Sequence, residues 1–156
     1  MATLHFKIVT PEKTVYANDG VLQITLPTMS GEITILPGHI PLVSVLKSGE
    51  LRLKDNQGET AMAVSGGFLE IRGKNEVVLL ADTAERAEQI DITKAEEAHK
   101  RAAEEMTTAL NKQDVDFAKL QAVIDKEVNR IKVGKKYRKG TFKQLPSADL
   151  ASRTKN

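Results

Sequence analysis

Side chains able to do acid–base or metal chemistry are few in this sequence and scattered along it. The histidines His5, His39 and His99 lie in three different predicted elements, without a Glu-x-x-His arrangement around any of them. Because a metal site needs several ligands that converge on one point, this spacing argues against one. His39 is the candidate base in a structured loop, but no partner residue stands at a recognisable spacing. The pattern favours a non-catalytic binding or coupling protein over a small hydrolase that uses His39.

Glycine motifs that bind phosphate groups are also missing. The sequence has no Gly-x-x-x-x-Gly-Lys-[Ser/Thr] motif, and Gly66-Gly67 lacks the spacing of a dinucleotide fingerprint. There is no cysteine, which excludes disulfides and thiolate metal ligands. Function is therefore expected to depend on surfaces.

The stretch with the most closely specified backbone is Pro27–Pro41, which carries one acid, Glu32, and one imidazole, His39. Gly31 and Gly38 can adopt positive φ, and the prolines of the stretch fix φ near about −65°. Between the two glycines, polar and apolar residues alternate as in a half-buried strand. The stretch is either a rigid corner of a sandwich or a docking surface.

The elements that must position these residues begin with short strands. Apolar and polar residues alternate from Thr3 to Ala81, with turn signals at intervals of roughly 8–12 residues, which is typical of a β-sandwich. The predicted strands contain Leu4/Phe6/Ile8, 21–26, Ile33/Ile35, 42–46, Leu51/Leu53, Met62/Val64, 68–71 and 77–80, and the predicted turns are 18–20, 47–49, 55–58, 65–67 and 73–75.

After Glu85 the apolar period changes from two to three or four, which predicts two helices. Asp91 or Thr93 can cap the first, and Asp114 or Asp116 the second. The first stripe is mostly alanine and the second is bulky, which favours a close antiparallel hairpin. The stripes are Ala95, Ala98, Ala102, Met106, Ala109 and Leu110 on the first helix, and Phe117, Leu120, Ile124, Val128 and Ile131 on the second.

The predicted fold class is α+β, an N-terminal β-sandwich followed by a C-terminal antiparallel two-helix hairpin. We place the sandwich at residues 1–87 and the hairpin at 88–134, with the first helix ending at 111–113 and Gly134 as the stop of the second. Residues 135–156 are predicted to be a basic polar tail with the composition of a disordered segment. An alanine stripe buries little apolar surface, so the hairpin should be able to detach from whatever it packs on.

Charge is distributed unevenly between these parts. Residues 1–90 contain 8 Lys/Arg and 11 Asp/Glu, whereas residues 91–156 contain 15 and 10. The apolar runs are far shorter than the ~20 residues that span a bilayer. A strand pattern at the N-terminus leaves no room for a signal peptide, so a soluble cytosolic protein is expected.

Four motifs in order carry a family resemblance. They are Thr10-Pro11-Glu12 with Val15-Tyr16, Gly31-Glu32 through Ile35-Leu36-Pro37-Gly38-His39-Ile40-Pro41-Leu42, Ala63-Val64-Ser65-Gly66-Gly67-Phe68-Leu69-Glu70, and Leu80-Ala81-Asp82-Thr83-Ala84-Glu85-Arg86. Together they closely resemble the epsilon subunit of bacterial and chloroplast F-type ATP synthases over residues 3–133. That family has the same fold, a β-sandwich followed by a helical hairpin.

The resemblance implies a non-catalytic, regulatory subunit in the central stalk of a rotary, proton-translocating motor. Its partners would be the gamma subunit, the membrane c ring and the α/β catalytic head, where an extended hairpin restrains ATP hydrolysis. By position, Glu32 would face the c ring, and Gly38 and His39 would lie near gamma. The implied location is peripheral, on the cytoplasmic face of a bacterial plasma membrane, without insertion into it. A plastid origin is the alternative.

Some bacterial relatives bind ATP on the hairpin through Ile/Leu-Asp-x-x-Arg-Ala, and this chain has Lys94 in place of the arginine. An ammonium group cannot reproduce a planar bidentate guanidinium, so the resemblance implies weak regulatory ATP binding or none, and no other cofactor. In the alternative interpretation, Asp91 only caps the helix and Lys94 pairs with Glu97 or Asp91. The residues at the matching positions are Glu85, Asp91, Lys94, Ala95, Arg101, Lys126 and Arg130.

The segment Arg130–Lys143 contains seven basic residues and no acid. It suits the acidic segments of the family's catalytic beta subunits, or it is a solvated tail. A nucleic-acid-binding sandwich with this segment as its basic footprint is the alternative function. The acidic sandwich and the scattered aromatics Phe6, Tyr16 and Phe68 argue against that alternative, so no nucleic-acid partner is expected.

Overall fold

The computed structural model describes residues 2–109 and 116–153, with side chains for residues 2–108 and 116–138. A single 3-10 turn at Ala87–Gln89 connects the strands to the helices. The described elements are β1 (Leu4–Val9), β2 (Thr14–Thr28), β3 (Gly31–Ile35), β4 (Leu42–Val45), β5 (Gly49–Asp55), β6 (Gly58–Ile71), β7 (Glu76–Arg86), α1 (Ile92–Ala109) and α2 (Phe117–Arg153). The order confirms the predicted sandwich followed by two helices.

The strands form one hydrogen-bonded network that closes on itself. Its order is β1-β7-β6-β5-β2, and β1 pairs with β2 to complete the ring, while β3 extends from β2 and β4 from β6. The β1–β7 pair is parallel and the other pairings are antiparallel. The enclosed core is almost wholly aliphatic apart from Phe6, in keeping with a sequence of which only 4% is aromatic. It contains Leu4, Phe6, Ile8, Val21, Ile24, Leu26, Ile35, Leu46, Leu51, Leu53, Met62, Val64, Leu69, Ile71, Val77, Leu79 and Ala81.

The turn predicted at residues 65–67 is wrong, because β6 continues through both glycines. Before them Met62 and Val64 point into the core, and after them Leu69 and Ile71 do, so the strand exchanges its two faces at this point. Both glycines have positive φ, and a Cβ on Gly67 would overlap the Leu80 carbonyl oxygen of β7. The glycine pair therefore marks a corner of the sandwich where two backbones approach closely.

The turn predicted at residues 18–20 is also wrong, since these residues lie inside β2. The register between β1 and β2 shifts here, from Leu4 opposite Val21 to Phe6 opposite Asn18. The Asn18 side chain accepts a hydrogen bond from the Gly20 amide at 2.8 Å. The polar, glycine-containing tripeptide 18–20 thus forms a bulge in a long strand. The alternation of apolar and polar residues does not distinguish such a bulge from a turn, because both use the same residue types.

Other turn predictions are confirmed. Asp55 pairs with Gly58 across a two-residue hairpin loop, and its carboxylate accepts the amides of Gln57 and Gly58 at 2.8 and 3.1 Å. In Pro27–Pro41, Gly31 has φ 116° and Gly38 has φ 86°. From the end of β2, the stretch thus passes through a turn, the short strand β3 that the alternation predicts, and a second turn, and β4 begins directly after it.

Both described helix starts are capped by an aspartate. The Asp91 carboxylate accepts the Lys94 amide at 3.1 Å, and the Asp116 carboxylate accepts the Lys119 amide at the same distance. These were the first and the last of the four candidate caps; Thr93 lies inside α1. Asp114, Leu110 and the helix end predicted at 111–113 lie outside the described residues.

The predicted stop at Gly134 is wrong, because α2 continues to Arg153 and includes residues 135–153, which were predicted as a tail. Gly134 is buried inside the helix. A Cβ at this position would lie 2.9 Å from Ile92 Cγ1 and 3.2 Å from Ile90 Cγ2. The glycine therefore lets α2 approach the start of α1 closely instead of ending the helix.

Candidate functional site

Two surfaces of the sandwich and one contact between sandwich and hairpin are candidates for function. The first surface contains the predicted docking residues. Glu32 lies in β3, is exposed, and accepts a hydrogen bond from Arg52 Nη2 at 3.2 Å. His39 lies in the loop after β3, where its Nδ1 is 2.7 Å from the Ile40 carbonyl oxygen. Glu32 and His39 thus have different partners, and each is stabilised locally.

Asn75 fixes the loop that carries Gly38 and His39. Its side-chain oxygen accepts the Gly38 amide at 2.7 Å, and its carbonyl oxygen accepts the His5 amide at 2.9 Å. Lys74 and Asn75 have φ values of 61° and 63°, a left-handed conformation that asparagine tolerates better than most residues. The loop is therefore tied to both β1 and the start of β7, a contact that sequence reasoning did not identify.

The second surface is an apolar patch on the outer side of the sheet, and sequence reasoning also missed it. Val45, Phe68 and Leu80 are direct neighbours across β4, β6 and β7, and Val43 lies two residues from Val45 on the same side. Their exposed fractions are 47%, 54% and 46%, and that of Val43 is 71%. We call Val43, Val45, Phe68 and Leu80 the apolar face.

Polar residues border this apolar face. Arg72 donates to Glu70 at 3.0 Å and lies 3.7 Å from Glu76. The hydrogen bond from Arg72 holds the pKa of Glu70 below its ordinary value, so the carboxylate stays charged near neutral pH. An exposed apolar centre with a charged rim is the composition of a protein-binding surface.

The third candidate is the contact by which α2 packs on the sandwich. A small apolar cluster forms its centre, separate from the main core. Its members are Ala61 and Ala63 of β6, Ala87, Ile90, Ile92 and Val133, with Tyr137 packed against them. The hairpin is therefore folded against the sandwich in this structure.

Of the predicted ATP-binding residues, Glu85, Lys126 and Arg130 come together beside this cluster. Arg130 Nε and Nη2 lie 2.8 and 3.3 Å from the two Glu85 oxygens, and Nη1 lies 2.8 Å from Glu127. Lys126 Nζ is 3.7 Å from the other Glu127 oxygen. Glu85, Lys126 and Arg130 line an open cavity of about 320 Å³ together with Ser65, Thr83 and Asn129.

The electrostatics of this group are those of a closed ion-pair network. The hydrogen bond that Arg130 donates to Glu85, followed by the one it donates to Glu127, raises the pKa of Arg130 despite partial burial. Glu127 is only 4% exposed, which is unusual for a charged residue unless it is paired. Every nitrogen position of the guanidinium thus has a carboxylate partner within the protein.

The remaining predicted ATP-binding residues lie elsewhere on α1 or have structural roles. Asp91 caps the helix, and Ala95 is buried. Lys94 and Arg101 are exposed, and neither has an ion pair among the residues with described side chains. The predicted pairing of Lys94 with Glu97 or Asp91 is therefore absent there, whereas the predicted cap at Asp91 is confirmed.

A further polar contact lies farther along α2, beyond the predicted stop. The Tyr137 hydroxyl donates to Glu50 Oε1, and Lys136 Nζ lies 2.9 Å from Glu50 Oε2. Burial opposes ionisation of Glu50, but the hydrogen bonds from Tyr137 and Lys136 outweigh it, so the pKa of Glu50 lies below its ordinary value. Burial and the bond to Glu50 raise the pKa of Tyr137, which therefore remains a donor at physiological pH.

Sequence reasoning missed Glu50, Glu127, Asn129 and Tyr137, and the signals for them were partial. Glu127 and Arg130 have i,i+3 spacing, which predicts a local pair but not its burial. The apolar runs 42–46 and 77–80 were the signal for the apolar face, because a strand that is apolar on both sides needs a cover on both sides. No sequence signal connects Glu50 to Lys136 and Tyr137, which lie 86 and 87 positions later in the chain.

The described part of the chain contains no group of three or more His, Asp or Glu side chains placed to hold a metal ion. Of its helices, none has the length and apolarity required to cross a membrane.

Comparisons with known proteins agree on one family. Residues 3–87 match the family model described as ATP synthase, Delta/Epsilon chain, beta-sandwich domain. The ATP synthase epsilon chain of Dehalococcoides mccartyi is 43% identical over 139 residues, which cover 89% of this chain and 97% of the relative. That of Desulforamulus reducens is 40% identical over 130 residues, 83% of this chain and 96% of the relative.

Solved structures give the same result. A chain in the Euglena gracilis mitochondrial ATP synthase structure, which comprises OSCP, F1 and the c-ring, aligns with a TM-score of 0.64 at 25% identity, covering 84% of this chain and 79% of that one. A chain in the Tetrahymena thermophila mitochondrial ATP synthase central stalk and c-ring aligns with a TM-score of 0.57 at 16% identity, covering 86% and 96%, and supports the fold alone.

Proposed function

Since this chain belongs to the family of ATP synthase epsilon chains, we propose that it is a non-catalytic subunit of the central stalk of a proton-translocating ATP synthase. In this role it connects the catalytic head to the membrane c ring, on the cytoplasmic face of a bacterial membrane and peripheral to it. The observation that carries the proposal is the apolar face, because a surface of this kind needs a protein cover.

The gamma subunit is the occupant that we propose for the apolar face. Leu36 and Ile40, in the loop beside the start of β4, are exposed as well and extend the apolar surface towards His39. Asn75 holds this loop in place through Gly38. Glu32 lies on a different strand and is proposed to face the c ring, where a rigid corner transmits torque better than a mobile one.

Co-purification tests the assignment. Tagged protein from bacterial membranes should recover gamma and the α/β subunits, and Phe68→Ser should reduce the recovery of gamma at least tenfold, since a buried aromatic contact of this size is worth several kcal/mol. Val123→Ser, which changes an exposed apolar residue of α2, is the matched control and should have no effect. Normal recovery of gamma by Phe68→Ser would contradict the proposed surface.

Gly38→Val should also weaken assembly, because φ at Gly38 is 86°, a conformation that glycine adopts readily and valine does not.

Inhibition of ATP hydrolysis by an extended hairpin is the second part of the proposal. The basic segment from Arg130 onward would contact acidic segments of the beta subunit when α2 leaves the sandwich. Lys135 and Lys136 are unsuitable for testing this contact, because they pair with Glu96 and Glu50 in the folded hairpin. Lys132 and Arg138 are exposed and have no ion pair among the residues with described side chains.

The double substitution of Lys132 and Arg138 by alanine therefore removes positive charge without breaking any ion pair among the described side chains. We expect it to relieve inhibition, so that ATP hydrolysis by the reassembled complex rises several-fold at low ionic strength. Hydrolysis at the unsubstituted level would contradict the contact with the head.

ATP binding to the hairpin is proposed to be weak or absent. The Arg130 guanidinium is already paired with Glu85 and Glu127, and Lys94 stands where relatives that bind ATP have arginine. A nucleotide would have to displace protein carboxylates to reach Arg130. Isothermal titration of the isolated protein should show no heat at micromolar ATP and at most a weak signal at millimolar ATP, while micromolar affinity would contradict this.

A further inference from the structure

Two glutamates of the sandwich hold α2 at two points. The first is Glu85 of β7, whose two oxygens accept hydrogen bonds from Arg130 at 2.8 and 3.3 Å. This bidentate geometry is the strongest arrangement for a guanidinium and a carboxylate. Both side chains are less than one third exposed, so solvent screens the pair less than an ordinary surface ion pair.

The second point is Glu50 of β5, about two helical turns farther along α2. It accepts hydrogen bonds from the Tyr137 hydroxyl and from Lys136 Nζ at 2.9 Å, and its side chain is 16% exposed. Arg52 Nη1 lies 4.0 Å from the same carboxylate. Next to the first point, one residue before Arg130, the Asn129 side-chain amide donates to the Gly49 carbonyl oxygen at 2.9 Å.

The apolar contact between these points is small. On the strands it consists of Ala61 and Ala63. Ala87, Ile90 and Ile92, in the connection to α1 and at its start, complete the cluster with Val133 and Tyr137 of α2. An alanine contributes only a methyl group to such a contact, so the apolar area that the strands bury here is small. At ~25 cal/mol per Å², it stabilises this contact much less than the large side chains stabilise the main core. The polar contacts on either side of this cluster therefore contribute a large part of what holds α2 on the strands.

We propose that Glu50 and Glu85 form a two-point latch that keeps the hairpin closed without any bound ligand. This inference rests on the mobile hairpin proposed above and adds what controls its release. Opening exposes both carboxylates, separates Lys136 from Glu50 and leaves Arg130 paired only with Glu127 of its own helix. The cations that close the hairpin therefore become available to an acidic partner only after release. Closing and partner binding then exclude each other.

Because the sequence contains no cysteine, single introduced cysteines can report on opening. Ala63→Cys places a thiol under α2, where the residue is 4% exposed, so iodoacetamide reacts with it only when the hairpin opens or the protein unfolds. We call this thiol the hairpin probe. Val64→Cys, in the main core, is the core probe and reacts only on unfolding of the sandwich. Glu59→Cys is exposed and gives the intrinsic rate.

The latch predicts that, without nucleotide, the hairpin probe already reacts far more slowly than the thiol of Glu59→Cys. Adding Glu50→Gln or Glu85→Gln should each accelerate the reaction of the hairpin probe roughly tenfold, and both together by up to about 100-fold. The reaction of the core probe should change much less. Raising the salt concentration should accelerate the hairpin probe in the chain with both glutamates and have little effect in the double glutamine variant.

Glu70→Gln is the matched control, since it also removes a glutamate paired with an arginine at 3.0 Å but lies beyond the Gly66-Gly67 corner of β6, beside Val43 of the apolar face. It should leave the reaction rate of the hairpin probe unchanged. If the glutamine variants at 50 and 85 do not accelerate the hairpin probe while salt does, the hairpin is mobile but the latch is wrong. If the hairpin probe never reacts faster than the core probe under any condition, the hairpin does not open independently, and the proposed mobility is wrong too.

Discussion

The sandwich and the hairpin are held in place by different kinds of contact. The sandwich encloses a continuous core of large aliphatic side chains, and its strands are joined by backbone hydrogen bonds around a closed ring. The hairpin is held by a small separate apolar cluster, to which the strands contribute only two alanines, and by side-chain ion pairs. Since hydrophobic stabilisation scales with buried apolar area, the first region is a scaffold and the second can move without unfolding it.

This difference also separates the surfaces by role. The apolar face and the loop tied by Asn75 are built on the scaffold and do not depend on the position of α2. The cations of α2, by contrast, have partners on the sandwich only while the hairpin is closed. A permanent interface and a switchable one are therefore built on regions of different stability, and the following substitutions test that separation.

The largest effect is expected in the core of the sandwich. Leu69→Ala removes a fully buried side chain and should lower the free energy of unfolding by about 2–5 kcal/mol. Urea denaturation followed by circular dichroism measures this change. Val43→Ala, on the adjacent strand but in the exposed apolar face, is the control and should lower it by less than about 0.5 kcal/mol. Similar losses for both variants would show that the apolar face is part of the folding core.

A smaller and local effect is expected from Gly134→Val. A Cβ at this position lies 2.9 Å from Ile92 Cγ1, so the added side chain must separate α1 from α2, at a cost of about 1–3 kcal/mol. Amide hydrogen exchange should become about ten times faster or more in α1 and stay unchanged in the strands. Lys132→Val, at an exposed site of the same helix, controls for helix propensity. Faster exchange throughout the sandwich would contradict the independence of the two regions.

The sequence predicted the scaffold well because its signals are local. Alternation specified the strands, and the Asp55–Gly58 hairpin and the positive φ of Gly31 and Gly38 followed from residue type. The errors at residues 18–20, 65–67 and 134 have one cause. Glycine permits turns, bulges, corners and close helix contacts alike, and only the neighbouring chain decides among them.

The candidate site was less predictable because it is made of long-range contacts. Glu85, Lys126 and Arg130 were identified through a family resemblance, and the i,i+3 spacing of Glu127 and Arg130 is a signal for their pair. Nothing in the sequence indicated that Glu127 would be buried. Glu50 and Tyr137 are 87 positions apart, and Tyr137 lies beyond the predicted helix stop. The apolar face could not be predicted because it depends on strand pairing, which makes Val45, Phe68 and Leu80 neighbours across three strands.

The smallest effect is the dependence of hairpin docking on acid, through Glu50. The docked pKa of Glu50 lies below its ordinary value of 4.5, because bonds from Tyr137 and Lys136, with Arg52 nearby, outweigh burial. At pH values above the ordinary pKa, the carboxylate therefore stabilises docking fully. Its contribution to the free energy of docking, about 1 kcal/mol or less, is lost as the pH falls through the lowered pKa. NMR shifts of the Val133 methyl groups should report this loss, and Glu50→Gln should flatten the profile. Glu70→Gln, which removes a carboxylate whose pKa is lowered by its hydrogen bond from Arg72, should leave the profile intact. An identical acid profile in the Glu50→Gln protein would mean that another carboxylate controls the closed hairpin.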